Sequence, residues 1–305
     1  MFARLSPWLE NRLSANVRGA IWLSLAAVLF SLMSAGIKVL GADFDSFEIV
    51  FFRCLFGLLT LTPFLWRYRT AALVTRQSGL HAIRIAFGIV TMFATFYALT
   101  HMHLATATAV FFANTLFVIP IAVAFLNESV HWRRWLATLV GFGGVMMILR
   151  PGPVGIDLAS LSAIVAAVSG AGVLTLLKKL SATEKPLTTM LWFTLVSVPV
   201  TFVPALMVWK TPDLGQLGLL ALVGALGSGG QYLAIRAYGA GEATAVSPFN
   251  YLQLPLSGIL GVLVFAESPD AWTWAGSAVI LAANLYLCAP PPALSPDKSP
   301  DKSVA

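Results

Sequence analysis

Long apolar runs separated by short polar segments are the dominant pattern of this sequence. A membrane-crossing helix needs about 20 mostly apolar residues, and ten runs approach that length. They lie near residues 19–40, 46–66, 80–100, 104–126, 132–149, 156–177, 187–208, 214–236, 243–265 and 272–289. The runs do not alternate with the two-residue period of a strand, and in lipid only helices and closed barrels satisfy their backbone polar groups. The pattern therefore predicts an all-α integral membrane protein with ten transmembrane helices.

A second pattern is a copied stretch. The segment from Tyr97 to Trp135 has a similar, slightly longer counterpart between Tyr232 and Trp274. Both copies carry, in the same order, a tyrosine, the word Ala-Thr-Ala-Val, a proline, a glutamate, and a tryptophan seven residues after the glutamate. These positions are Ala107–Val110, Pro120 and Glu128 in the first copy, and Ala243–Val246, Pro255 and Glu267 in the second. We expect each proline to bend its helix. The copies predict two five-helix repeats, at residues 18–150 and 155–289.

Lys and Arg set the predicted orientation, because they accumulate on the cytoplasmic side of membranes. With the N-terminus inside, 15 of the 19 Lys and Arg residues fall on that side. The other four are Lys38, Arg53, Arg150 and Lys210. Residues 1–17 then form a cytoplasmic segment, and the proline-rich residues 290–305 form a disordered cytoplasmic tail. Since five is an odd number, the second repeat enters the membrane from the opposite side, and the two repeats are inverted.

Composition supports a membrane location and argues against other classes. The chain is 58% hydrophobic and only 10% charged, whereas a soluble protein carries about 25% charged residues. The net charge of +6 forms no basic patch with interleaved aromatics, so no nucleic-acid partner is expected. No span has His, Cys, Asp and Glu at metal-ligand spacing, and no phosphate-binding loop occurs. We expect no metal, no cofactor and no enzymatic activity. The expected partners are the bilayer and a small-molecule substrate, with monomer and dimer both open.

Neutral polar side chains at mid-membrane depth supply the predicted substrate cavity around the centre of the bundle. Asn250, Tyr251 and Gln253 lie between two prolines, and a proline in a membrane helix frees backbone carbonyls that can face a cavity. Asn114 lies at a comparable depth in the first half. The full predicted set is Asn114, Asn250, Tyr251, Gln253, Gln231, Tyr97, Ser34 and Trp192. The alternative for single polar residues is a hydrogen bond to their own backbone or to a neighbouring helix.

Charged residues near the span ends form a second candidate set. Lys38, Glu48 and Arg53 cluster in sequence around the first outward loop, and His101 lies between helices three and four. A charge inside the bilayer costs at least about 2.5–3.5 kcal/mol, so we consider them as gates or as contacts for a substrate carboxylate. The alternative for these charges, and for Arg84 at the start of helix three, is structural pairing or snorkelling to the interface. For His101, a hydrogen bond to the loop is the alternative to a proton relay.

These features together resemble the EamA-type branch of the drug/metabolite transporter superfamily. The marks are the two Ala-Thr-Ala-Val words, the prolines of helices four and nine, the glutamates Glu128 and Glu267 that close those helices, and the tryptophans that follow. The resemblance covers residues 18–289. It implies a central cavity lined by helices one to four and six to nine, with helices five and ten at the periphery. It also implies a bacterial inner membrane and export of small metabolites, and looks most like exporters of amino acids, including aromatic ones.

The leading hypothesis is a carrier that exports a small zwitterion, a neutral or aromatic amino acid, by alternating access. Since no carboxylate lies at mid-membrane depth, facilitated diffusion is favoured over tight proton coupling. The alternatives are carriage of a nucleoside, vitamin, purine or drug, with or without proton coupling. An intramembrane enzyme acting on lipid head groups would need Lys38, Glu48 and Arg53 to converge. A non-transporting interaction protein would lack a hydrated cavity.

Overall fold

The computed structural model describes residues 14–68, 75, 77–126, 132–150, 157–181, 183–184, 186–240 and 246–288. Within these ranges the chain contains helices and no strand. The helices are α1 (Ala15–Leu40), α2 (Ser46–Tyr68), α3 (Ser78–His101), α4 (Leu104–Phe112), α5 (Asn114–Leu126), α6 (Trp132–Leu149), α7 (Leu158–Ser181), α8 (Pro186–Met207), α9 (Leu214–Ala240), a 3-10 segment (Ser247–Leu252), α10 (Gln253–Phe265) and α11 (Ala271–Cys288). The predicted cytoplasmic segments at either end of the chain lie almost entirely outside the described residues, as does Glu128.

Every predicted span overlaps a described helix, but the fourth and ninth spans are each divided. The fourth is interrupted at Ala113, between α4 and α5, and Pro120 lies inside α5. The interruption lies seven residues before Pro120, and the bend expected at that proline stays a prediction. Within the described residues, seven stretches are long and apolar enough to cross a membrane: Ala15–Leu40, Ser78–His101, Leu104–Ile121, Leu158–Leu177, Thr188–Met207, Leu214–Ala240 and Pro248–Phe265. Ten crossings and the inversion of the repeats stay predictions.

Polar residues just before the helices set where several of them begin. The Ser14 hydroxyl accepts a hydrogen bond from the Val17 N–H at 3.4 Å and caps α1. Asp270 accepts from the N–H and the hydroxyl of Thr273, at 2.9 and 2.7 Å, and caps α11. Such caps satisfy N–H groups that have no partner within the helix. Hydrogen bonds from Ser160 lower the pKa of Asp157, which plays the same role before α7.

The helices pair in a pattern with approximate two-fold symmetry. The most extensive contacts join α1 to α9, α3 to α7, and α6 to α11, and α2 also packs against α8. Exchanging the halves, so that α1 corresponds to α7 and α3 to α9, maps the α1–α9 pair onto the α7–α3 pair. It also maps the α1–α10 contact onto the α7–α5 contact. The pairs α2–α8 and α6–α11 map onto themselves. The two halves are thus interleaved rather than side by side.

The connections between helices gather in two groups, one at each end of the bundle. At one end, Lys210 Nζ donates to the Asp43 carbonyl oxygen at 2.9 Å, and Gln216 Nε2 donates to the Asp43 carboxylate at 3.1 Å. At the other end, the Thr75 hydroxyl donates to the Glu184 carboxylate at 2.6 Å. The predicted orientation assigns these two groups of loops to opposite sides of the membrane.

Glycines allow the closest helix contacts. A Cβ on Gly276 of α11 would lie 2.6 Å from the Gly144 carbonyl oxygen of α6, and the reciprocal distance is 2.8 Å. On α9, a Cβ on Gly227 would meet Met33 of α1 at 2.9 Å, and one on Gly230 would meet Phe30 at 2.9 Å. Small residues permit this approach of membrane helices and the dispersion contacts that come with it. The α6–α11 and α1–α9 pairs therefore depend on the absence of side chains.

We expect Gly276→Ala to destabilise the protein by about 1–3 kcal/mol, because overpacking forces the α6 and α11 backbones apart. Gly143→Ala is the matched control, since a Cβ there has nothing within 4 Å and alanine favours a helix over glycine by up to about 1 kcal/mol. Thermal unfolding in detergent, followed by tryptophan fluorescence, should give a lower midpoint for Gly276→Ala and an unchanged or higher one for Gly143→Ala. Equal midpoints for the two variants would contradict the close contact.

Candidate functional site

A buried ion pair closes one end of the bundle and joins the two halves. Lys38, near the end of α1, pairs with Glu267, which follows α10. The Lys38 ammonium also donates a hydrogen bond to the carbonyl oxygen of Met102, in the connection between α3 and α4. The two side chains are 16% and 6% exposed, respectively. Breaking one partner of such a pair leaves a buried charge uncompensated, so the contact holds its helices firmly together.

The same carboxylate caps α4. Glu267 Oε2 accepts a hydrogen bond from the Leu104 N–H at 2.8 Å, while His103, at the cap position itself, makes no side-chain cap hydrogen bond. The first N–H groups of a helix lack partners within the helix and carry the positive end of its dipole, so they favour a carboxylate. We call Lys38, Glu267, the Met102 carbonyl and the Leu104 N–H the end clasp.

A left-handed turn directs Glu267 into the clasp. Ala266 has φ 52° and ψ 29°, and the Glu267 N–H bonds the Gly261 carbonyl oxygen at 3.0 Å. This conformation costs a residue with a Cβ about 1–2 kcal/mol. A Cβ on Gly261 would lie 2.7 Å from Glu267 Oε2, so glycine leaves the space into which the carboxylate folds back. The local sequence thus accepts backbone strain that places one charge inside the bundle.

A recess of about 610 Å³ lies beside the end clasp. Its lining includes Lys38, Thr100, His101, His103, Arg150 and Asp270. The predicted residues Tyr97 and His101 meet at this end, with their rings stacked at 4.0 Å. His101 Nδ1 is also within hydrogen-bond distance of the Thr100 hydroxyl, 2.9 Å, and of the Tyr97 carbonyl oxygen, 3.0 Å. The recess is polar on the side where the α3–α4 connection passes.

A second ion pair lies at the rim of this recess. Arg150, after α6, pairs with Asp270, before α11. These side chains are 47% and 45% exposed, and exposed pairs contribute only about 0–1 kcal/mol. The side chains of the rim pair are therefore far more exposed than those of the end clasp, so the rim pair is a suitable control for the clasp.

The three charges that cluster in sequence lie apart in the structure. Glu48 is fully buried, and its carboxylate accepts a hydrogen bond from the Lys210 backbone N–H at 3.2 Å. Lys38 belongs to the end clasp, and Arg53 points its Nη1 at the Met92 sulfur, 3.7 Å away. The enzyme alternative requires these three side chains to converge, and they do not. Among the described residues no group of three or more His, Cys, Asp and Glu side chains could hold a metal ion.

The interruptions of the fourth and ninth spans bring polar groups into the middle of the bundle. Asn114 begins α5 immediately after the break, is buried, and lies against Gly170 of α7. In the 3-10 segment, Asn250 accepts a hydrogen bond from Gln253 Nε2 at 2.9 Å. Unwound stretches in divided membrane helices commonly form substrate sites, because they expose backbone groups to a cavity. The predicted residues Asn250 and Gln253 thus form one cluster.

Neighbouring helices support these interruptions. Asn284 of α11 is fully buried and donates to the Phe112 carbonyl oxygen at 3.0 Å, where α4 ends. The Tyr251 ring packs edge-on against the Phe112 ring at 5.2 Å. Because a carbonyl left free by a helix break is costly in an apolar interior, Asn284 stabilises the division of the fourth span.

The remaining predicted cavity residues lie on three different helices. Ser34 on α1 and Gln231 on α9 are half-buried and lie on helices that pair with each other. Trp192 on α8 is half-buried, and its ring lies 6.1 Å from the His81 ring. Their role in the substrate cavity stays a prediction.

Sequence reasoning missed two charged residues. Glu267 was used only as a mark of the repeat, although its recurrence after the ninth span signalled a role. For Arg84 the sequence leaves snorkelling and structural pairing open; its side chain is 4% exposed and its guanidinium lies over the Phe193 ring at 4.2 Å, so it packs inside the bundle. His81, one turn earlier on α3, is buried as well. Only the packing of α3 against α7 and α8 covers these two side chains.

Comparison with known proteins is decisive at the level of the family. The profile of the EamA-like transporter family matches residues 17–150 and again residues 157–288. The chain belongs to the EamA-like transporter family. It is therefore a multi-pass membrane transporter, and both halves of the chain carry the EamA pattern.

Proteins similar to this chain are named for different substrates. An S-adenosylmethionine uptake transporter of Rickettsia prowazekii is 33% identical, with 92% of this chain and 95% of that protein covered. A riboflavin transporter of Rhizobium johnstonii is 33% identical, covering 90% and 92%. A pseudopaline exporter of Pseudomonas aeruginosa is 30% identical, covering 88% and 95%. One crystal structure matches with TM-score 0.55 at 16% identity, covering 88% of this chain and 94% of that one, which shows the fold alone.

We expect Lys38→Met to lower the free energy of unfolding by about 3–5 kcal/mol, because it leaves Glu267 charged and buried without its counter-ion. Glu267→Gln should destabilise as well, and the double variant should lose less than the two single losses together. Denaturant titrations in mixed micelles measure the coupling. The same cycle on the rim pair, with Arg150→Met and Asp270→Asn, is the control and should give at most about 1 kcal/mol. A coupling no larger at the clasp than at the rim would contradict the structural role of the clasp.

Proposed function

We propose that this EamA transporter carries small amino-acid-type zwitterions with a flat ring across the bacterial inner membrane by alternating access. S-adenosylmethionine is the first candidate, and neutral or aromatic amino acids are the second arm of its test. The observation that carries the mechanism is the end clasp, in which Lys38 of the first half meets Glu267 of the second half at one end of the bundle. A contact of this kind must break for that end to open.

Alternating access is consistent with the helix pairing. The approximate two-fold symmetry of the contacts supports two inverted repeats of five crossings each, with both termini in the cytoplasm. Under this arrangement the clasp lies at the outward end, and the divided spans lie between the two ends. Substrate would reach Asn250 and Gln253 from the inside while the clasp is closed, and would leave outward once it opens.

The substrate class rests on the relatives and on the chemistry of the interior. S-adenosylmethionine joins an amino-acid head group to an adenine ring, and riboflavin also carries a fused ring system. Neutral amides at Asn250 and Gln253 offer hydrogen bonds, and the aromatic rings of Tyr251 and Phe112 pack beside them. A few placed polar groups within an apolar and aromatic lining are typical of small-molecule sites. This combination favours a ring with a polar head over a simple cation.

Facilitated diffusion is the proposed energetics, with direction following the gradient of substrate. Each described acidic residue lies in a connection or within three residues of a helix end, so the described helices carry no carboxylate at mid-depth for proton exchange. The relatives include both an uptake transporter and an exporter. Gradient-driven movement accommodates either direction.

We expect connections at the clasp end to be accessible from outside the cell. In a background without the native cysteines, Thr211→Cys and Ser268→Cys should react with a membrane-impermeant maleimide in intact cells. Thr183→Cys, at the other end, should react only after permeabilisation, because its loop is cytoplasmic. Labelling of all three in intact cells, or of Thr183→Cys alone, would overturn the proposed orientation.

We expect proteoliposomes containing the protein to exchange labelled S-adenosylmethionine in both directions, without a pH gradient. Riboflavin and phenylalanine serve as competitors that discriminate the vitamin and amino-acid alternatives. Uphill movement driven by a pH gradient and abolished by His101→Gln or Glu48→Gln would contradict the uncoupled mechanism. Failure to move S-adenosylmethionine and phenylalanine alike would contradict the substrate class.

The clasp can be tested as a gate in the same vesicles. A variant with Lys38→Cys and Glu267→Cys, bridged by a short thiol-reactive crosslinker, should stop exchange because the outward end stays closed. The same double variant without the crosslinker is the control and should retain exchange, because it leaves neither charge of the clasp buried alone. Full exchange through the bridged variant would rule out opening at this point.

A further inference from the structure

The interior of the described bundle has an imbalance of charge. Arg53 and Arg84 are the two described basic residues that lie more than five residues from a helix end, on α2 and α3. The described acidic residues, in contrast, lie in the connections around residues 41–45, 157, 183–184, 208–213 and 266–270, or within the first three residues of α2. Two permanent positive charges therefore lie inside the bundle without a carboxylate at their depth.

The two arginines are placed to act on the same space. The start of α2 contacts the end of α3, where the Ser46 and Thr100 hydroxyls are 3.2 Å apart, so these helices are antiparallel. Arg53 extends from α2 to the level of Met92 on α3. Arg84 lies eight residues earlier on α3, about 12 Å along its axis, within the reach of two long side chains.

Neither guanidinium has a strong acceptor. Arg84 Nε and Nη1, and Arg53 Nε, are buried without a hydrogen-bond partner. Arg53 lies near the Met92 sulfur at 3.7 Å, the Cys54 thiol and Gly227 of α9, and sulfur is a weak acceptor. Arg84 lies over the Phe193 ring, a contact that supplies no acceptor for its N–H groups. Buried polar groups in proteins are normally hydrogen-bonded, so these N–H donors lack an acceptor.

Neither the nearby carboxylates nor exposure at the membrane interface supplies the missing acceptor. Glu48 is the described acid nearest in sequence to Arg53, but it lies five residues earlier and bonds the Lys210 N–H. Glu184 accepts a hydrogen bond from Thr75 in the connection between α7 and α8. Snorkelling fails for Arg84, because its side chain is buried.

We propose that Arg53 and Arg84 form an oxyanion subsite that binds the carboxylate, or an equivalent phosphate, of the transported substrate. This inference rests on the proposed function and narrows it, because a neutral ring compound would leave both arginines uncompensated. Arginine presents paired N–H donors that match the two oxygens of a carboxylate. The subsite selects for anionic head groups, and the oxyanion of the substrate neutralises the positive charge of the two arginines.

Matched ligand pairs test the subsite in purified protein, by ligand-dependent thermal stabilisation in detergent. The pairs differ only in the oxyanion: S-adenosylmethionine and its decarboxylated analogue, phenylalanine and phenylalaninamide, and FMN and riboflavin. At least one oxyanion-bearing member should bind more tightly than its partner. The carboxylate pairs and the FMN pair then distinguish the two anion chemistries. No preference in any pair would overturn the proposal.

Substitutions assign the preference to these arginines. Arg84→Gln and Arg53→Gln should each weaken binding of the oxyanion-bearing ligand by about 10- to 100-fold, which corresponds to the loss of one hydrogen bond to a charged group. Binding of the matched ligand without the oxyanion should stay nearly unchanged. Arg84→Lys should restore part of the preference, which a merely structural role would not. Lys179→Gln, an exposed charge at the end of α7, is the control. If Arg84→Gln fails to fold, Arg53→Gln carries the test.

Two outcomes separate the claims. A preference for the oxyanion in binding, without vesicle exchange of S-adenosylmethionine or phenylalanine, supports the subsite and contradicts the proposed transport substrates. If the unmodified protein exchanges substrate but Arg84→Gln weakens the binding of both ligands of a pair equally, the subsite is contradicted and the proposed transport is not. Stabilisation by added phosphatidylglycerol alone, abolished in Arg84→Gln, would reassign the site to a lipid head group and overturn the proposal.

Discussion

One carboxylate holds the end of this bundle together. Glu267 neutralises Lys38 of α1 and caps α4 through the Leu104 N–H, so it joins elements that are far apart in sequence. In the apolar interior neither charge is tolerated alone, which makes the contact nearly all-or-none. A carrier needs a closure of this kind, because an end held by many weak apolar contacts would loosen gradually rather than switch between two arrangements.

The helices were largely predictable from the sequence. In lipid, a run of about 20 apolar residues satisfies its backbone hydrogen bonds most readily as a helix, and the described helices follow those runs closely. The exceptions are the two divided spans. The prolines predict bends, but the fourth span is interrupted at Ala113, next to which Asn284 of α11 donates a hydrogen bond to the Phe112 carbonyl oxygen. A break stabilised by a tertiary contact leaves no local signal.

The candidate site was less accessible to sequence reasoning, for the same reason. Lys38 and Arg53 stood out because they interrupt apolar runs, yet their partners could not be assigned. The turn that directs Glu267 inward occurs at Ala266, where a glycine would have announced a left-handed residue and an alanine does not. Arg84 lies near enough to its helix start to suggest contact with water. Its burial depends on Phe193, more than a hundred residues later in the chain.

The glycine face of α9 has a mechanical consequence. Where Gly227 and Gly230 meet Met33 and Phe30, these α1 side chains fill the gaps that the glycines leave in α9, so the two helices interlock. Their contact is the most extensive between helices in the described part of the chain, and packed interfaces switch between discrete arrangements rather than deforming continuously. The α1–α9 pair is therefore suited to move as one rigid unit, and such a movement would carry Lys38 away from Glu267, which follows a different helix, without unfolding either partner.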